Sequence, residues 1–189
     1  MKVLLIDNYD SFTYNIVALL QQLEIENITI KKNNEISVAE ANEYDKIIIS
    51  PGPATPAEAG NILEIIKLLA PTKSILGICL GHQAIAQAFG ATLSNVSHPY
   101  HGFQTEISII KEHKLFSNLP KNKKIYLGLY HSWIVNNIHF PACLQITSLS
   151  KEDIIMSVKH VQYDVHGIQF HPESYMTSYG KEMLKAFLI

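Results

Sequence analysis

The sequence contains no arginine, because all fifteen of its basic residues are lysines, and its formal net charge is −2. Bidentate contacts to guanine and guanidinium stacking on bases both depend on arginine. We therefore expect no nucleic-acid partner. Cysteine is also scarce, since only Cys79 and Cys143 are present and they form no CxxC pair. Two cysteines are too few for a disulfide scaffold, which favours a reducing, cytoplasmic setting.

Long hydrophobic runs are missing as well. Apolar stretches reach only about ten residues, too few to cross a membrane. The first run, Met1–Ile6, ends at Asp7 and is too short for the apolar region of a secretory signal. No repeat, low-complexity tract or linker divides the 189 residues. We therefore expect a single domain over residues 1–189, with no membrane association.

Hydrophobic patterning predicts alternating strands and helices in the first half of the chain. Continuous apolar runs, which are typical of buried strands, occupy Val3–Asp7, Asn27–Lys31, Asp45–Ser50 and Ser74–Ile78. Apolar residues at helical spacing predict helices at Thr13–Leu23, Ala59–Leu69 and Gly81–Phe89. We expect Asp10 and Ser11 to cap the first helix and Gly90 to end the third.

Short strand candidates follow one another in the second half. They lie at Thr92–Val96, Thr105–Ile110, Lys124–Leu127, Leu144–Ser148, Ile154–Lys159 and Gly167–Phe170, before a closing helix at Ser178–Phe187. Together the two halves predict an α/β fold. We expect a mostly parallel open sheet with helices on both faces and an antiparallel extension.

A candidate nucleophile stands between a predicted strand and a predicted helix, in Gly77-Ile78-Cys79-Leu80-Gly81. This spacing is typical of a nucleophile elbow, in which a sharp turn exposes the central side chain and small residues flank it. The helix N-terminus favours a thiolate on Cys79, and the N–H of Leu80 is placed to bind an oxyanion. The alternative is a buried cysteine beside ordinary turn glycines. Cys143 lacks this context and is interpreted as a core residue.

A candidate proton carrier ends the apolar segment Gly167-Ile168-Gln169-Phe170, where His171-Pro172-Glu173 follows. Pro172 holds the segment extended, so His171 and Glu173 point to the same side. Glu173 can then orient the imidazole as the carboxylate of a catalytic triad does. The alternative is a solvated strand-end turn.

Two further segments contain candidate binding residues. Ser50-Pro51-Gly52-Pro53 is a rigid turn whose Gly52 amide offers a second oxyanion donor. Tyr130-His131-Ser132-Trp133 is either a substrate contact or an ordinary buried loop. The remaining histidines show no metal-ligand spacing, so no metal site is predicted, and most are interpreted as surface or core residues.

With these segments in this order, the sequence resembles the class I glutamine amidotransferases. The matching motifs are Ser50–Pro53, Leu76–Gln83, Tyr130–Ser132 and Gly167–Ser174. The opening segment Asp7–Asn15 is similar to that of anthranilate synthase component II and of the glutaminase subunit of aminodeoxychorismate synthase. The resemblance implies the fold of that family, with a flavodoxin-like sheet.

The resemblance implies that Cys79 forms a γ-glutamyl thioester with L-glutamine, releasing ammonia, while His171 shuttles the proton and Glu173 orients His171. It further implies that the amides of Gly52 and Leu80 hold the oxyanion. The substrate would be held by Gln83, Ser132 and Trp133. Ammonia would pass to a separate chorismate-binding synthase subunit. No cofactor is expected in this chain, and Mg²⁺ would belong to the partner.

Several positions depart from the family pattern. Phe103 replaces a usual lysine, Leu129 a usual arginine, Trp133 a usual leucine and Ser157 a usual glycine. The first three bear on the partner and on coupling to it. A free-standing γ-glutamyl peptidase of the same fold and a degenerate, non-enzymatic subunit remain as alternatives.

An aromatic surface for the partner is expected near the first loop, at Tyr9, Phe12 and Tyr14. The alternative is that Phe12 and Tyr14 pack on their own domain.

Overall fold

Strands and helices alternate in the first half of the chain and strands dominate the second, in a computed structural model that describes residues 1–120 and 123–189. The strands are β1 (Val3–Asp7), β2 (Ile28–Lys32), β3 (Lys46–Ile49), β4 (Ser74–Ile78), β5 (Leu93–Ile109), β6 (Tyr126–Val135), β7 (Leu144–Ser150), β8 (Ile155–His160) and β9 (Val165–Ile168). The helices are α1 (Thr13–Gln22), α2 (Val38–Ala41), α3 (Ile62–Leu69), α4 (Leu80–Ala88) and α5 (Gly180–Leu188). Short 3-10 turns occupy Pro56–Glu58 and Lys114–Phe116.

The strands form one sheet in the order β2-β1-β3-β4-β9-β8-β7-β5-β6. The pairs from β2 to β9 are parallel, and those from β9 to β6 are antiparallel. Strand β9 therefore joins the two halves of the sheet. This arrangement confirms the predicted α/β class and its antiparallel extension.

Each face of the parallel half is covered by helices, because consecutive side chains of a strand point to opposite faces. Leu4 and Ile6 of β1 pack in the core that α3 and α4 cover. Val3 and Leu5 pack in the core that α1 and α5 cover. All four side chains are fully buried, which explains why β1 is apolar without alternation.

Two strands extend further than the sequence predicts. The candidates at Thr92–Val96 and Thr105–Ile110 both lie in the single strand β5. Strand β6 runs on through Tyr130–Trp133, so the interpretation of that segment as a loop is wrong. The β5–β6 register shifts between Asn95 and Tyr100, and such an irregularity removes the alternation that marks a strand.

The start of α1 also differs from its prediction. Phe12 is the N-cap residue, and no side chain caps the helix. The carboxylate of Asp10 instead accepts from the N–H of Phe12, at 2.8 Å, in the turn before the helix. Tyr9 has a φ of 61°, and this turn displaces Asp10 from the capping position.

The short helix α2 was not predicted, although its signal is present. Ser37 and Glu40 form a reciprocal capping box at its start. None of the helices in the described part of the chain is long and apolar enough to span a membrane.

Candidate active site

Cys79 lies at the single-residue junction between β4 and α4. Its backbone has φ 51° and ψ −99°, a strained conformation for a residue with a side chain. A Cβ on Gly77 would lie 2.3 Å from the backbone of Gly81, and one on Gly81 would lie 2.5 Å from the carbonyl oxygen of Ile49. The sharp turn therefore requires glycine at both flanking positions, as the elbow spacing predicts.

His171 and Glu173 follow the end of β9 and lie close to the Cys79 turn. Nδ1 of His171 donates to Oε1 of Glu173 at 2.7 Å, and both side chains are buried. The N–H of His171 donates to the carbonyl of Gly128, which ties the segment to β6. The Tyr130 ring packs edge-on against the imidazole, 4.9 Å between centroids. The predicted His171–Glu173 contact is therefore present in the structure. The extended segment predicted there is wrong, because Pro172 and Glu173 lie in a turn in which the N–H of Ser174 donates to the carbonyl of His171.

The electrostatics of this group favour a charged imidazole. Burial lowers the pKa of His171, but hydrogen bonding and charge from Cys79 and Glu173 outweigh burial and raise this pKa to about 10. Nε2 of His171 has no partner within hydrogen-bond distance in residues 1–120 and 123–189. Nε2 is therefore available to a substrate atom.

The loop after β3 brings Gly52 against the start of α4. A Cβ on Gly52 would lie 2.8 Å from Cδ2 of Leu80 and 2.5 Å from Cβ of Asn8. The side chain of Asn8 donates to the carbonyl of Ser50 at 2.8 Å, which clamps this loop to the end of β1. Leu80 is the first residue of α4, so its N–H has no intrahelical acceptor. Gly52 and Leu80, both predicted oxyanion donors, are thus neighbours.

Two of the predicted substrate-binding residues, Gln83 and Trp133, are in direct contact. Nε2 of Gln83 donates to the carbonyl of Trp133 at 2.9 Å, which connects α4 to β6. Ser132 precedes Trp133 on β6 and is half-buried. Sequence reasoning missed Gln169, whose Nε2 lies 3.6 Å from Sγ of Cys79. Its signal is its position two residues before His171 in the sequence.

Two further buried histidines lie near this group. Burial lowers the pKa of His82 to about 3 and that of His131 to about 4. Both are therefore neutral at pH 7, which leaves His171 as the charged imidazole of the group. No cluster of three metal-ligating side chains occurs in the described part of the chain. A groove lined by Ile107 and Phe116 lies elsewhere on the surface.

Some aromatic residues of the first loop are exposed, as expected of a partner surface, and one packs on its own domain. Tyr9 and Tyr14 are 55% and 67% exposed, as expected of a surface available to a partner. Phe12 instead packs on its own domain, with its ring 5.2 Å from that of Tyr130 and 5.7 Å from that of His171. The alternative interpretation therefore holds for Phe12.

Two departures from the family pattern face each other in the structure. Phe103 on β5 and Leu129 on β6 are register partners. Phe103 is 58% exposed, whereas Leu129 is buried. Two of the positions expected to depart from the family pattern thus form one apolar pair here. Ser157 is buried, and its hydroxyl lies 2.6 Å from that of Ser148.

Comparison with known proteins agrees with this geometry. The family model for class-I glutamine amidotransferases matches residues 4–189. Aminodeoxychorismate/anthranilate synthase component 2 of Bacillus subtilis is 43% identical over 196 residues, which cover 98% of this chain and 95% of that protein. Aminodeoxychorismate synthase component 2 of Escherichia coli is 40% identical over 188 residues, which cover 98% of each.

The fold matches as well. The crystal structure of a glutamine amidotransferase from Thermotoga maritima superposes with a TM-score of 0.78 at 16% identity, over 100% of this chain and 80% of that chain. The resemblance inferred from the motifs is confirmed by a family model that spans almost the whole sequence. The chain therefore belongs to the class-I glutamine amidotransferases.

Proposed function

We propose that this chain is the glutaminase subunit of a chorismate-using synthase and supplies that partner with ammonia. The observation that carries the proposal is the placement of the Cys79 thiol, at a strained strand–helix turn, beside the buried His171–Glu173 pair. A thiolate next to an imidazolium is an activated nucleophile with its proton donor already in place.

In the first step the sulfur of Cys79 attacks the side-chain carbonyl carbon of glutamine. The oxygen takes up negative charge, for which the amides of Leu80 and Gly52 are the proposed donors. Nε2 of His171 gives its proton to the amide nitrogen, the carbon–nitrogen bond breaks, and ammonia leaves. The product on the enzyme is a γ-glutamyl thioester.

In the second step water attacks the thioester, and Nε2 of His171 accepts the proton that the water loses. The carbon–sulfur bond breaks, Cys79 leaves as a thiolate and glutamate is released. Glu173 keeps Nδ1 of His171 protonated through both steps, so that Nε2 remains the nitrogen that exchanges protons. These groups complete the cycle without a cofactor in this chain.

Gln83, Ser132 and Trp133 are the proposed contacts to the rest of the substrate. Both contacts of Gln83 in the structure use its Nε2 as donor, to Trp133 and to Gln169. Its Oε1 is therefore the atom that remains to accept a hydrogen bond, and the α-ammonium group of glutamine is a suitable donor.

The proposed partner is a chorismate-binding subunit that uses the ammonia and holds Mg²⁺. Support comes from the relatives, which are components 2 of anthranilate and aminodeoxychorismate synthases. The exposed aromatic side chains of Tyr9, Tyr14 and Phe103 offer anchors for such a partner.

The test combines the purified chain with the anthranilate synthase large subunit of the same organism, chorismate, Mg²⁺ and glutamine. Formation of anthranilate is followed by its fluorescence. We expect product that requires both chains and is lost in Cys79→Ser, whereas Cys143→Ser, the matched control, keeps full activity. Ammonia in place of glutamine restores synthesis by the Cys79→Ser complex, because only the ammonia supply is broken.

The other outcomes distinguish the alternatives. Product from ammonia but not from glutamine indicates a different partner, and the assay is repeated with the aminodeoxychorismate synthase large subunit. Release of glutamate from γ-glutamyl peptides by the isolated chain, with neither synthase activated, supports the free-standing peptidase instead. A chain that leaves glutamine and these peptides intact in every combination contradicts the proposal.

A further inference from the structure

Gln169 is a buried polar residue beside Cys79 that the mechanism above does not use. Its side chain is fully buried, and it follows β9 directly. Gln169 and Phe170 lie in a bend between β9 and His171. Nε2 of Gln169 donates to Sγ of Cys79 at 3.6 Å. The sulfur therefore has an uncharged N–H donor as well as the imidazolium nearby.

Gln169 is in turn held by a second glutamine. Its Oε1 accepts from Nε2 of Gln83 at 3.3 Å, and the same Nε2 donates to the carbonyl of Trp133 at 2.9 Å. Gln83 lies one helical turn beyond Cys79 on α4. Two glutamines thus connect the backbone of β6 to the nucleophile through three successive hydrogen bonds.

The direction of this chain of bonds is determined at its backbone end. A carbonyl oxygen can only accept, so the nitrogen of the Gln83 carboxamide must face Trp133. That nitrogen can only donate, so Gln169 must present its oxygen to Gln83. The carboxamide of Gln169 is then fixed with its nitrogen towards the sulfur. The two orientations of an amide, usually hard to distinguish, are here distinguished by the Trp133 carbonyl.

We propose that Gln169 is a catalytic residue whose N–H, aimed by Gln83 and the Trp133 carbonyl, stabilises the thiolate of Cys79. The inference rests on the proposed role of Cys79 as the nucleophile. A donor binds a thiolate more strongly than a neutral thiol, so this contact favours the charged form. Gln83 is also a proposed substrate contact. A bound glutamine would therefore contact the same residue that orients the N–H of Gln169.

The test measures thiolate formation directly and needs no substrate. In a Cys143→Ala background Cys79 is the only thiol, and its ionisation is followed against pH by the ultraviolet absorbance of the thiolate. Gln169→Met keeps the length of the side chain but removes the donor. We expect the pH midpoint to rise by about one unit, a tenfold smaller thiolate fraction at low pH. Gln169→Glu is expected to raise it further, because it places a negative charge beside the sulfur.

Gln87→Met is the matched control. Gln87 lies on α4 one turn beyond Gln83, and we expect its replacement to leave the midpoint unchanged. Gln83→Met is expected to raise the midpoint as well, since it releases Gln169 from its fixed orientation. The double variant Gln83→Met/Gln169→Met then shows no more than the effect of Gln169→Met alone, because both act through one contact.

A midpoint in folded Gln169→Met equal to that of the parent overturns the inference. Failure of both Gln169 variants to fold also overturns it, because the residue then serves the fold rather than the thiolate. The titration is independent of glutaminase activity. A shifted midpoint in a chain that leaves glutamine intact in every combination removes the proposed function and with it the catalytic role of Gln169, although the contact with the thiolate stands. An unshifted midpoint in an active glutaminase retains the proposed function and overturns the inference.

Discussion

Gly77 and Gly81 approach so closely that a Cβ on Gly77 would lie 2.3 Å from the carbonyl carbon of Gly81. Both contacting groups are backbone, so no side chain can rotate away to make room. The position of Cys79 between them therefore depends on the absence of a side chain at Gly77, and a methyl group there must displace either β4 or α4.

Gly77→Ala is expected to destabilise the protein by more than about 3 kcal/mol, because overpacking against backbone cannot be relieved locally. Urea unfolding measures the loss. Gly102→Ala is the matched control, since Gly102 has φ 72° and no atom within 4 Å of the added Cβ. The free energy of unfolding of that variant should fall only by the backbone strain, about 1–2 kcal/mol. Equal losses in the two variants would contradict the close-approach explanation.

Cys79→Ala is expected to lower the pKa of His171 from about 10, because Cys79 is one of the two residues that raise this pKa. A raised pKa stabilises the folded state fully below about pH 6.5, the pKa of a free imidazole, and this contribution disappears as the pH rises through about 10. In Cys79→Ala this contribution is smaller, and it is lost completely at a lower pH. Titration of the imidazole by NMR gives the pKa, and Cys143→Ala should leave it unchanged.

Glu173→Gln is expected to reduce kcat for glutamine hydrolysis by about 10²- to 10⁴-fold with little change in KM. The carboxamide can still contact Nδ1 of His171, but it neither selects the tautomer nor balances the imidazolium charge. Glutamate release in the active complex is the measurement. Glu182→Gln, an exposed position on α5, is the control. A tenfold rise in KM at unchanged kcat would place Glu173 in substrate binding instead.

Phe103→Ala is expected to weaken binding of the synthase partner by about tenfold, as truncation of an aromatic anchor does at other interfaces. Leu68→Ala on α3 is the control, because Leu68 and Phe103 are both 58% exposed. Isothermal titration of the partner gives both affinities. If the two variants lose affinity equally, or neither loses any, Phe103 is not part of the docking surface.

Asp7→Asn is expected to destabilise the fold by about 1–3 kcal/mol at pH 7, since the buried carboxylate accepts from the Thr13 hydroxyl and from Lys32. Burial alone raises the pKa of Asp7, but these hydrogen bonds outweigh burial and lower it. The contribution is therefore present above about pH 4 and is lost as the pH falls through the lowered pKa. Urea unfolding at pH 7 and pH 3 should show the difference shrinking, and exposed Asp153→Asn should show none.

The sequence predicts those parts of the site whose geometry depends on residues that are close together along the chain. The two glycines around Cys79 constrain the backbone within a few residues, so the five-residue motif predicts the geometry of that turn. The His171–Glu173 contact is also as predicted, but it is made by a turn and not by the predicted extended segment. The buried strands β1 and β3 are predicted in the same way, because a continuous run of apolar residues indicates a strand that is buried on both faces.

The rest depends on contacts between distant segments. The link from Trp133 through Gln83 to Gln169 joins β6, α4 and the segment after β9, and no local pattern relates these positions. The pairing of Phe103 with Leu129 follows from the register shifts of β5, which the sequence does not mark. Capping of α1 was mispredicted because the turn at Tyr9 moves Asp10 out of position.

Strand β9, the last strand along the described chain, is inserted between β4 and β8. During synthesis on the ribosome every other strand of the described chain emerges before β9. Until β9 is added, β4 and β8 each form an open edge of a separate part of the sheet. Open strand edges pair readily with other chains. The chain is therefore prone to aggregate and to require chaperones until β9 is in place. Closure of the gap also brings His171 to Cys79. The proposed nucleophile and its proposed proton donor are therefore brought together only when the sheet is complete.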